Sequence, residues 1–254
     1  MGTRKTRISK LFAPLILLVA LVCLWQGASA LFHFNKVIFP SPSDIAVAFK
    51  NNYPLLFKET GVTLLEAVLG FLLGSASAYL LAIAFVHSPI IQDTVFPYAI
   101  ALKSTPLVAI APLLVLWCGN GMLSKVVMSA LVAFFPVLVN AVKGLATIDS
   151  EMLELMASLS ASRWEVFSKI RVYNSLGYLF SALKTSTSLA VVGAVIGEFT
   201  GSTQGIGHLI STSSYYLETP LMFAGIIMIS LGGILFFWIV GFLESRFIFW
   251  ETQT

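Results

Sequence analysis

The sequence has 254 residues, of which 57% are hydrophobic and only 11% are charged, and its formal net charge is +3. A soluble domain carries about 25% charged residues, so this composition indicates that most of the chain lies in lipid. A nearly neutral chain of this kind gives no reason to expect a nucleic-acid partner. Cys23 and Cys118 lie in or at the end of apolar runs without C-x-x-C spacing and are interpreted as packing residues.

The N-terminal segment predicts one membrane helix. Residues 1–10 are basic and are expected to be cytoplasmic, and residues 11–32 form an apolar run. About 20 residues cross the roughly 30 Å of hydrocarbon in a bilayer. The alternative is a signal peptide cleaved after Ala28-Ser29-Ala30, which would leave the later topology unchanged. We favour an uncleaved first helix.

Residues 33–60 predict an extracytoplasmic loop. A turn at Pro40–Ser43 precedes an amphipathic segment that is expected to lie at the membrane surface. Five further membrane helices are expected within residues 61–246, followed by a cytoplasmic tail at 247–254. Their approximate ranges are 61–86, 97–117, 123–142, 176–199 and 220–242.

Small residues recur every four positions in two of these helices. Such a stripe lets another helix approach closely in lipid, so it predicts helix packing. The glycines concerned are Gly70 and Gly74 in the second span and Gly193 and Gly197 in the fifth.

The third span contains three prolines and a lysine. Prolines free backbone carbonyls, and a lysine in lipid is costly unless it faces the interior of the bundle. The candidates for the solute pathway are Lys103, Ser104, Thr105, Asn140, Thr185 and Ser186. The alternative for the hydroxyl groups is a hydrogen bond to their own helix. Glu66, Gln92 and Glu198 are further candidates for a polar interior, and the alternative for them is a position at interface depth, where a charge costs little.

A polar stretch from Asp149 to Gly177 interrupts the apolar second half. It predicts two short helices: Asp149 caps the first, and Ser162 with Glu165 forms a capping box that starts the second. The second helix carries an apolar face. A helix pair with such a face outside the membrane must bury it, either on its own bundle or in another protein, and the residues alone leave both interpretations open.

The distribution of basic residues predicts that both termini are cytoplasmic. With six spans and the N-terminus inside, nine basic residues fall in cytoplasmic segments and four fall outside. The cytoplasmic set is Arg4, Lys5, Arg7, Lys10, Lys143, Arg163, Lys169, Arg171 and Arg246; the other set is Lys36, Lys50, Lys58 and Lys125. This orientation places the loop at 144–175 in the cytoplasm, where ATP is.

The sequence offers no enzyme active site. It lacks the G-x-x-x-x-G-K-[ST] loop that cradles nucleotide phosphates and the G-x-S-x-G elbow of hydrolases. His33, His87 and His208 are scattered over different segments and make no metal-ligand spacing. No catalytic residue, metal site or cofactor is expected in this chain.

Several motifs resemble the permease subunits of binding-protein-dependent ABC importers. Glu154–Ala157, Ser160–Ser162, Trp164, Phe167 and Ile170 are similar to the cytoplasmic "EAA" loop of that family. The segments at 40–43, 104–125, 134–136 and 198–209 also resemble these permeases, the last one the branch that handles sulfonates, taurine and nitrate. The family usually has glycine where Ser160 stands and prolines where Tyr173 and Gly177 stand. Ser160 is still expected to turn, and Gly177 to break the second helix.

The resemblance implies an all-α, six-helix, type I importer permease in the inner membrane of a bacterium. It implies two copies of this chain, two cytoplasmic ATPases that bind ATP and Mg, and one extracytoplasmic solute-binding protein. The residues that dock on the ATPase would be Glu154, Leu155, Met156, Ala157, Ser160, Ala161, Arg163 and Trp164. The solute would be a small organic acid, an oxyanion or a vitamin precursor.

Two other functions compete with this one. A stand-alone secondary transporter would need inverted repeats with matching broken helices, and the proline-rich third span has no clear partner in the other half. A channel or scaffold subunit would not stimulate ATP hydrolysis.

Overall fold

The computed structural model describes residues 3–32 and 35–248, and that part of the chain consists of helices and turns. The basic side chains predicted at 1–10, His33 and most of the predicted tail lie outside the side chains it describes. The elements are α1 (Thr3–Phe32), α2 (Pro42–His87), α3 (Pro89–Ser104), α4 (Leu107–Cys118), α5 (Met122–Ala146), α6 (Ser150–Ser158), α7 (Arg163–Val166), a π-helical turn (Phe167–Arg171), α8 (Val172–Phe199), α9 (Ile206–Tyr215) and α10 (Thr219–Phe247).

Five helical segments in the described residues are long and apolar enough to cross a membrane, and the bent pair α3–α4 makes a sixth if it counts as one span. This confirms the predicted all-helical class with six spans. α1 is peripheral: no residue between Ala13 and Phe32 is buried. The core consists of α2, α5 and α8, with α9 and α10 packed against α2 and α8.

Glycines hold the three central helices close together. A Cβ added to Gly193 of α8 would lie 2.8 Å from the Cα of Ser129, and one on Gly70 of α2 would collide with the side chain of the same serine. Ser129 of α5 therefore lies between the two glycines. Its hydroxyl donates to Ala190 O of α8 (2.9 Å) and to Ala67 O of α2 (3.3 Å).

The same spacing continues along both helices. Gly74 meets the backbone of Ala130, and a Cβ on Gly197 would lie 3.2 Å from the Cα of Lys125. All four predicted packing glycines thus lie against α5, so close that a Cβ at any of them would press on its atoms.

The second span differs from its prediction. The amphipathic segment and the span form one helix, Pro42–His87, which a capping box at Ser41 and Asp44 starts. The helix kinks at Asn52, whose φ of −120° and ψ of 16° are not helical. Pro54 lies two residues further on. A proline inside a helix removes a backbone donor and clashes with the preceding turn, which accounts for the kink.

The third span is not one straight helix over 97–117. α3 and α4 meet at an angle of 102°. Thr105 has extended backbone angles, as the residue before a proline prefers, and Pro106 has no N–H to continue the helix. The hydroxyls of Ser104 and Thr105 hydrogen-bond to Ile100 O and Ala101 O in the last turn of α3.

The exit of the polar loop is also different, because Gly177 does not break a helix. The helix that starts at Arg163 continues through the π-helical turn into α8 and ends at Phe199. Glycine in a helix costs only about 1 kcal/mol relative to alanine. The close packing of α8 against α5 offsets that cost.

Replacing Gly74 by valine should destabilise the bundle, because the new side chain has to displace the backbone of Ala130. Overpacking of this kind costs about 1–3 kcal/mol. Thermal unfolding of the purified chain in detergent measures the effect. Gly61→Val is the matched control, since nothing lies within 4 Å of that Cβ position in the same helix. Equal melting temperatures for the two variants would contradict the packing scheme.

Candidate functional site

The polar loop is a helix–turn–helix, as predicted. Asp149 caps α6 by accepting a hydrogen bond from Glu151 N (3.2 Å). Ser162 and Glu165 form the capping box of α7, with Ser162 N donating to Glu165 Oε2 (2.9 Å). Between the helices, Ser160 adopts a left-handed φ of 54°. That conformation favours glycine, the residue that the resemblance leads one to expect at this position.

The second half of the loop is fixed to the bundle. Arg171 donates to Leu145 O (2.8 Å), and the Asn174 amide donates to Gly144 O (3.0 Å), both at the end of α5. The Phe167 ring is buried and lies 4.7 Å from the His87 ring at the end of α2. The π-helical turn and the start of α8 are therefore anchored to the ends of α2 and α5. We refer to this end of the bundle as the loop end.

The first half of the loop is uncovered. None of the residues of α6 is buried, and Leu155, Leu159 and Trp164 are 53%, 67% and 69% exposed. Of the eight residues predicted to dock on the ATPase, Glu154, Leu155, Ala157, Ser160, Arg163 and Trp164 are exposed, and Met156 and Ala161 are half-buried. The apolar residues of the loop therefore have two different surroundings. Phe167 packs against the bundle, whereas the apolar residues of α6 are exposed.

The opposite end of the bundle, which we call the far end, holds a buried polar network that sequence reasoning missed. Each of the first N–H groups around the start of α9 is bound by a side chain from α2 or α8. The pairs are Gly205 N with Glu59 Oε2 (2.6 Å), Ile206 N with Thr63 Oγ1 (2.8 Å), and Gly207 N with Glu198 Oε2 (2.5 Å). The N-terminus of a helix offers unpaired N–H groups, and the carboxyl groups of Glu59 and Glu198 accept hydrogen bonds from them here.

Gly205 is required at this position for two reasons. Its φ of 99° lies in the region that side chains rarely adopt, and a Cβ there would collide with the carboxyl group of Glu198. Glu198 also accepts a hydrogen bond from Thr63 Oγ1 (2.6 Å). One carboxylate therefore joins α2, α8 and α9.

Glu66 and Glu198, two candidates for a polar interior, both lie inside the protein, with 3% and 1% exposure. Lys125 is fully buried close to both carboxyl groups and donates to Asn120 O (2.6 Å). Hydropathy along one helix cannot reveal this cluster, because its members come from three different helices. The sequence does contain a signal for this cluster, namely two acids within spans together with a basic residue near the end of another span.

The residues predicted to line a solute pathway do not form one cluster. Ser186 is buried and donates to Ala133 O (3.1 Å), so it joins α8 to α5. Asn140 and Thr185 bond back to carbonyls of their own helices, at 2.8 and 3.2 Å. Lys103 alone among the six has no hydrogen-bond or carboxylate partner in the described residues. Its ammonium lies 4.6 Å from the centre of the Phe135 ring, beside a cavity of about 150 Å³.

A larger cavity, of about 650 Å³, lies elsewhere. It is an open groove between α8 and α10, and its lining carries no ionisable side chain. Among the described residues, no three His, Cys, Asp or Glu side chains are grouped so that they could hold a metal ion.

Residues 70–249 match the family of the binding-protein-dependent transport system inner membrane component. The chain belongs to this family. It is 34% identical over 239 residues to a probable ABC transporter permease protein of Haemophilus influenzae, covering 94% of this chain and 98% of that one. It is 32% identical over 240 residues to the riboflavin transport system permease protein of Chloroflexus aurantiacus, covering 94% and 90%.

A putative aliphatic sulfonates transport permease protein of Bacillus subtilis is 29% identical over 241 residues, covering 94% of this chain and 87% of that one. Among solved structures, the methionine ABC transporter MetNI in its inward-facing conformations gives a TM-score of 0.58 with 18% identity. The match covers 74% of this chain and 93% of that one. The structural match establishes the fold of a type I importer permease, and the family makes this chain a membrane permease of the ABC importer class.

Replacing Thr63 by valine should destabilise the far end, because Ile206 N and Glu198 each lose a buried hydrogen-bond partner. An unsatisfied buried group costs about 1–3 kcal/mol. Thermal unfolding in detergent measures the loss. Thr94→Val is the control, since that exposed hydroxyl bonds only to Ile90 O of its own helix. A melting temperature for Thr63→Val as high as that of the control would contradict the assigned network.

Proposed function

We propose that this chain forms the translocation pathway of an ABC importer and couples to a separate ATPase through the loop at 149–177. The observation that supports this most directly is α6, a capped helix with exposed leucines and no core of its own. Apolar residues displayed on a rigid, capped helix are typical of a helix that docks in a groove of a partner. The resemblance of Glu154–Ala157 to the docking loop of importer permeases agrees.

The orientation follows from charge. With the N- and C-termini inside, the loop end faces the cytoplasm and the far end faces the outside of a bacterial inner membrane. This places α6 on the side where ATP is available and α9 on the side where a solute-binding protein would arrive.

The proposed assembly contains two copies of this chain, two ATPase subunits and one solute-binding protein. Membership in a binding-protein-dependent family supports such partners in general. ATP and Mg would be held by the ATPases, and this chain would supply no catalytic group.

Motion of the ATPase would reach the membrane through the contacts at the loop end. Arg171 and Asn174 tie the segment after α7 to the last carbonyls of α5, and the same segment continues into α8. A displacement of α6–α7 would therefore act on α5 and α8 together. Alternating access then needs a bundle with two arrangements, whose equilibrium both the nucleotide and the loaded binding protein shift.

The solute pathway is proposed on the side of α3 and α4. These helices form the broken span, and discontinuous helices near the midplane are where transporters commonly place their substrate sites. Ser104 and Thr105 flank the break, and Lys103 precedes it. The relatives carry names for sulfonates and riboflavin, which supports a small organic solute in the same broad range.

Glu154→Lys and Ala157→Asp should uncouple transport while leaving the protein in the membrane. Both residues are exposed on α6, so neither change disturbs the core. A wrong or unpaired charge in an interface costs about 2–5 kcal/mol, which corresponds to a loss of about 30-fold or more in ATPase binding. Uptake by cells and ATP hydrolysis by the reconstituted complex are the measurements.

Glu218→Lys is the matched control. It makes the same charge reversal at an exposed acid before α10, at the far end, and should not change ATPase binding. Normal uptake and normal ATPase binding in both α6 variants would show that this loop does not dock on the ATPase.

A further inference from the structure

Lys103 lies beside the middle of α5, one of the helices long and apolar enough to cross a membrane. Its ammonium is above the Phe135 ring, which is thirteen residues from the start of α5 and eleven from its end. At about 1.5 Å per residue, the lysine is about 20 Å and about 17 Å from the two ends of that span. The hydrocarbon core is about 30 Å thick, so this charge is close to its centre.

The fold does not need Lys103 to stabilise the end of α3. A basic residue in the last turn of a helix often serves to pair with free carbonyls. Here the hydroxyls of Ser104 and Thr105 already donate to Ile100 O and Ala101 O, both at 3.0 Å.

Other lysines within the bundle have partners. Lys184 of α8 forms a 2.6 Å ion pair with Glu244 of α10, and Lys125 donates to backbone carbonyls beside Glu66 and Glu198. In the part of the chain that the structure describes, no carboxylate is within ion-pair distance of Lys103. An unpaired charge at this depth is costly in lipid, so it is retained where water or a ligand meets it.

The surroundings of Lys103 suit a small amphiphilic ion. The cavity beside it has a volume of about 150 Å³, equal to the liquid volume of about five water molecules. Lys103 is the one charged group in its lining. The rest of the wall is apolar and includes Leu107, Phe135 and Leu189, from α4, α5 and α8.

We propose that Lys103 binds the anionic group of the transported solute, so that this permease carries an organic anion such as a sulfonate or a carboxylate. The ammonium supplies the counter-charge at the midplane, and the apolar wall accepts the carbon skeleton. This inference rests on the proposed function, because it assigns the substrate class of the same pathway.

The test measures whether a water-filled, anion-attracting site exists beside Lys103. Ser104→Cys is introduced into the full-length chain in membranes, with Cys23→Ala and Cys118→Ala removing the native thiols. The modification rates with an anionic reagent, sulfonatoethyl methanethiosulfonate, and a cationic one, trimethylammonioethyl methanethiosulfonate, are compared. We expect the anionic-to-cationic rate ratio to fall about tenfold when Lys103→Ala is added.

Two further measurements separate a binding site from a mere surface charge. Lys143→Ala also removes an ammonium near an aromatic ring (5.5 Å from Tyr178), but in the last turn of α5, and should leave the ratio unchanged. Butane-1-sulfonate should slow modification by the anionic reagent when Lys103 is present and not when it is absent.

The proposal is overturned if Ser104→Cys reacts with neither reagent, if Lys103→Ala leaves the ratio unchanged, or if butane-1-sulfonate gives no protection. None of these readouts requires the ATPase. If the complex hydrolyses ATP during transport but the cysteine shows no preference for the anionic reagent, only the proposed substrate class is wrong. If the preference is present but transport does not depend on ATP, only the proposed importer mechanism is wrong.

Discussion

The bilayer imposes the constraint on which the rest of this structure depends: a polar group within the bundle has to find its partner in protein. Ser129 does so by lying between Gly70 and Gly193 and donating to both neighbouring helices. Glu198 does so by accepting from Thr63 and from the start of α9. Small residues let the helices approach closely, and the hydrogen bonds of the hydroxyl and carboxyl groups fix the helices relative to one another.

The two ends of the bundle meet this constraint in different ways. At the far end, Glu59, Thr63 and Glu198 of α2 and α8 bind the first N–H groups of α9, and Lys125 lies close to Glu198. Moving those elements apart would unpair several buried groups at once. At the loop end, the π-helical turn is held by α2 and α5, but α6 displays its apolar residues to solvent. A self-contained far end and an incomplete loop end fit a subunit that receives its driving force from the cytoplasm.

The parts that could be predicted from the sequence are those that depend on neighbours along the chain. The capping box of Ser162 and Glu165, the turn at Ser160 and the apolar lengths of the spans are local features. The glycine stripes indicate close packing, although not which helix fills them. The bend at Pro106 was signalled by its proline, but its angle of 102° depends on how α4 packs against α5 and α8.

The parts that could not be predicted depend on contacts between distant residues. Glu66 and Lys125 are 59 positions apart and read as ordinary charges near the ends of apolar runs. Gly177 carries a local signal to break a helix, but tertiary packing of α8 overrides it. The sequence shows that Lys103 is a charged residue within a span and is therefore costly in lipid. Only the packed helices show that no carboxylate of the described residues pairs with it.

Purification of this chain under gentle conditions from its own host tests the central claim most directly, with mass-spectrometric identification of the proteins that co-purify. The importer account predicts an ABC ATPase and an extracytoplasmic solute-binding protein, and uptake into liposomes that requires hydrolysable ATP. A chain that purifies alone and moves solute into liposomes without ATP would contradict it, and the loop at 149–177 would then need a different explanation.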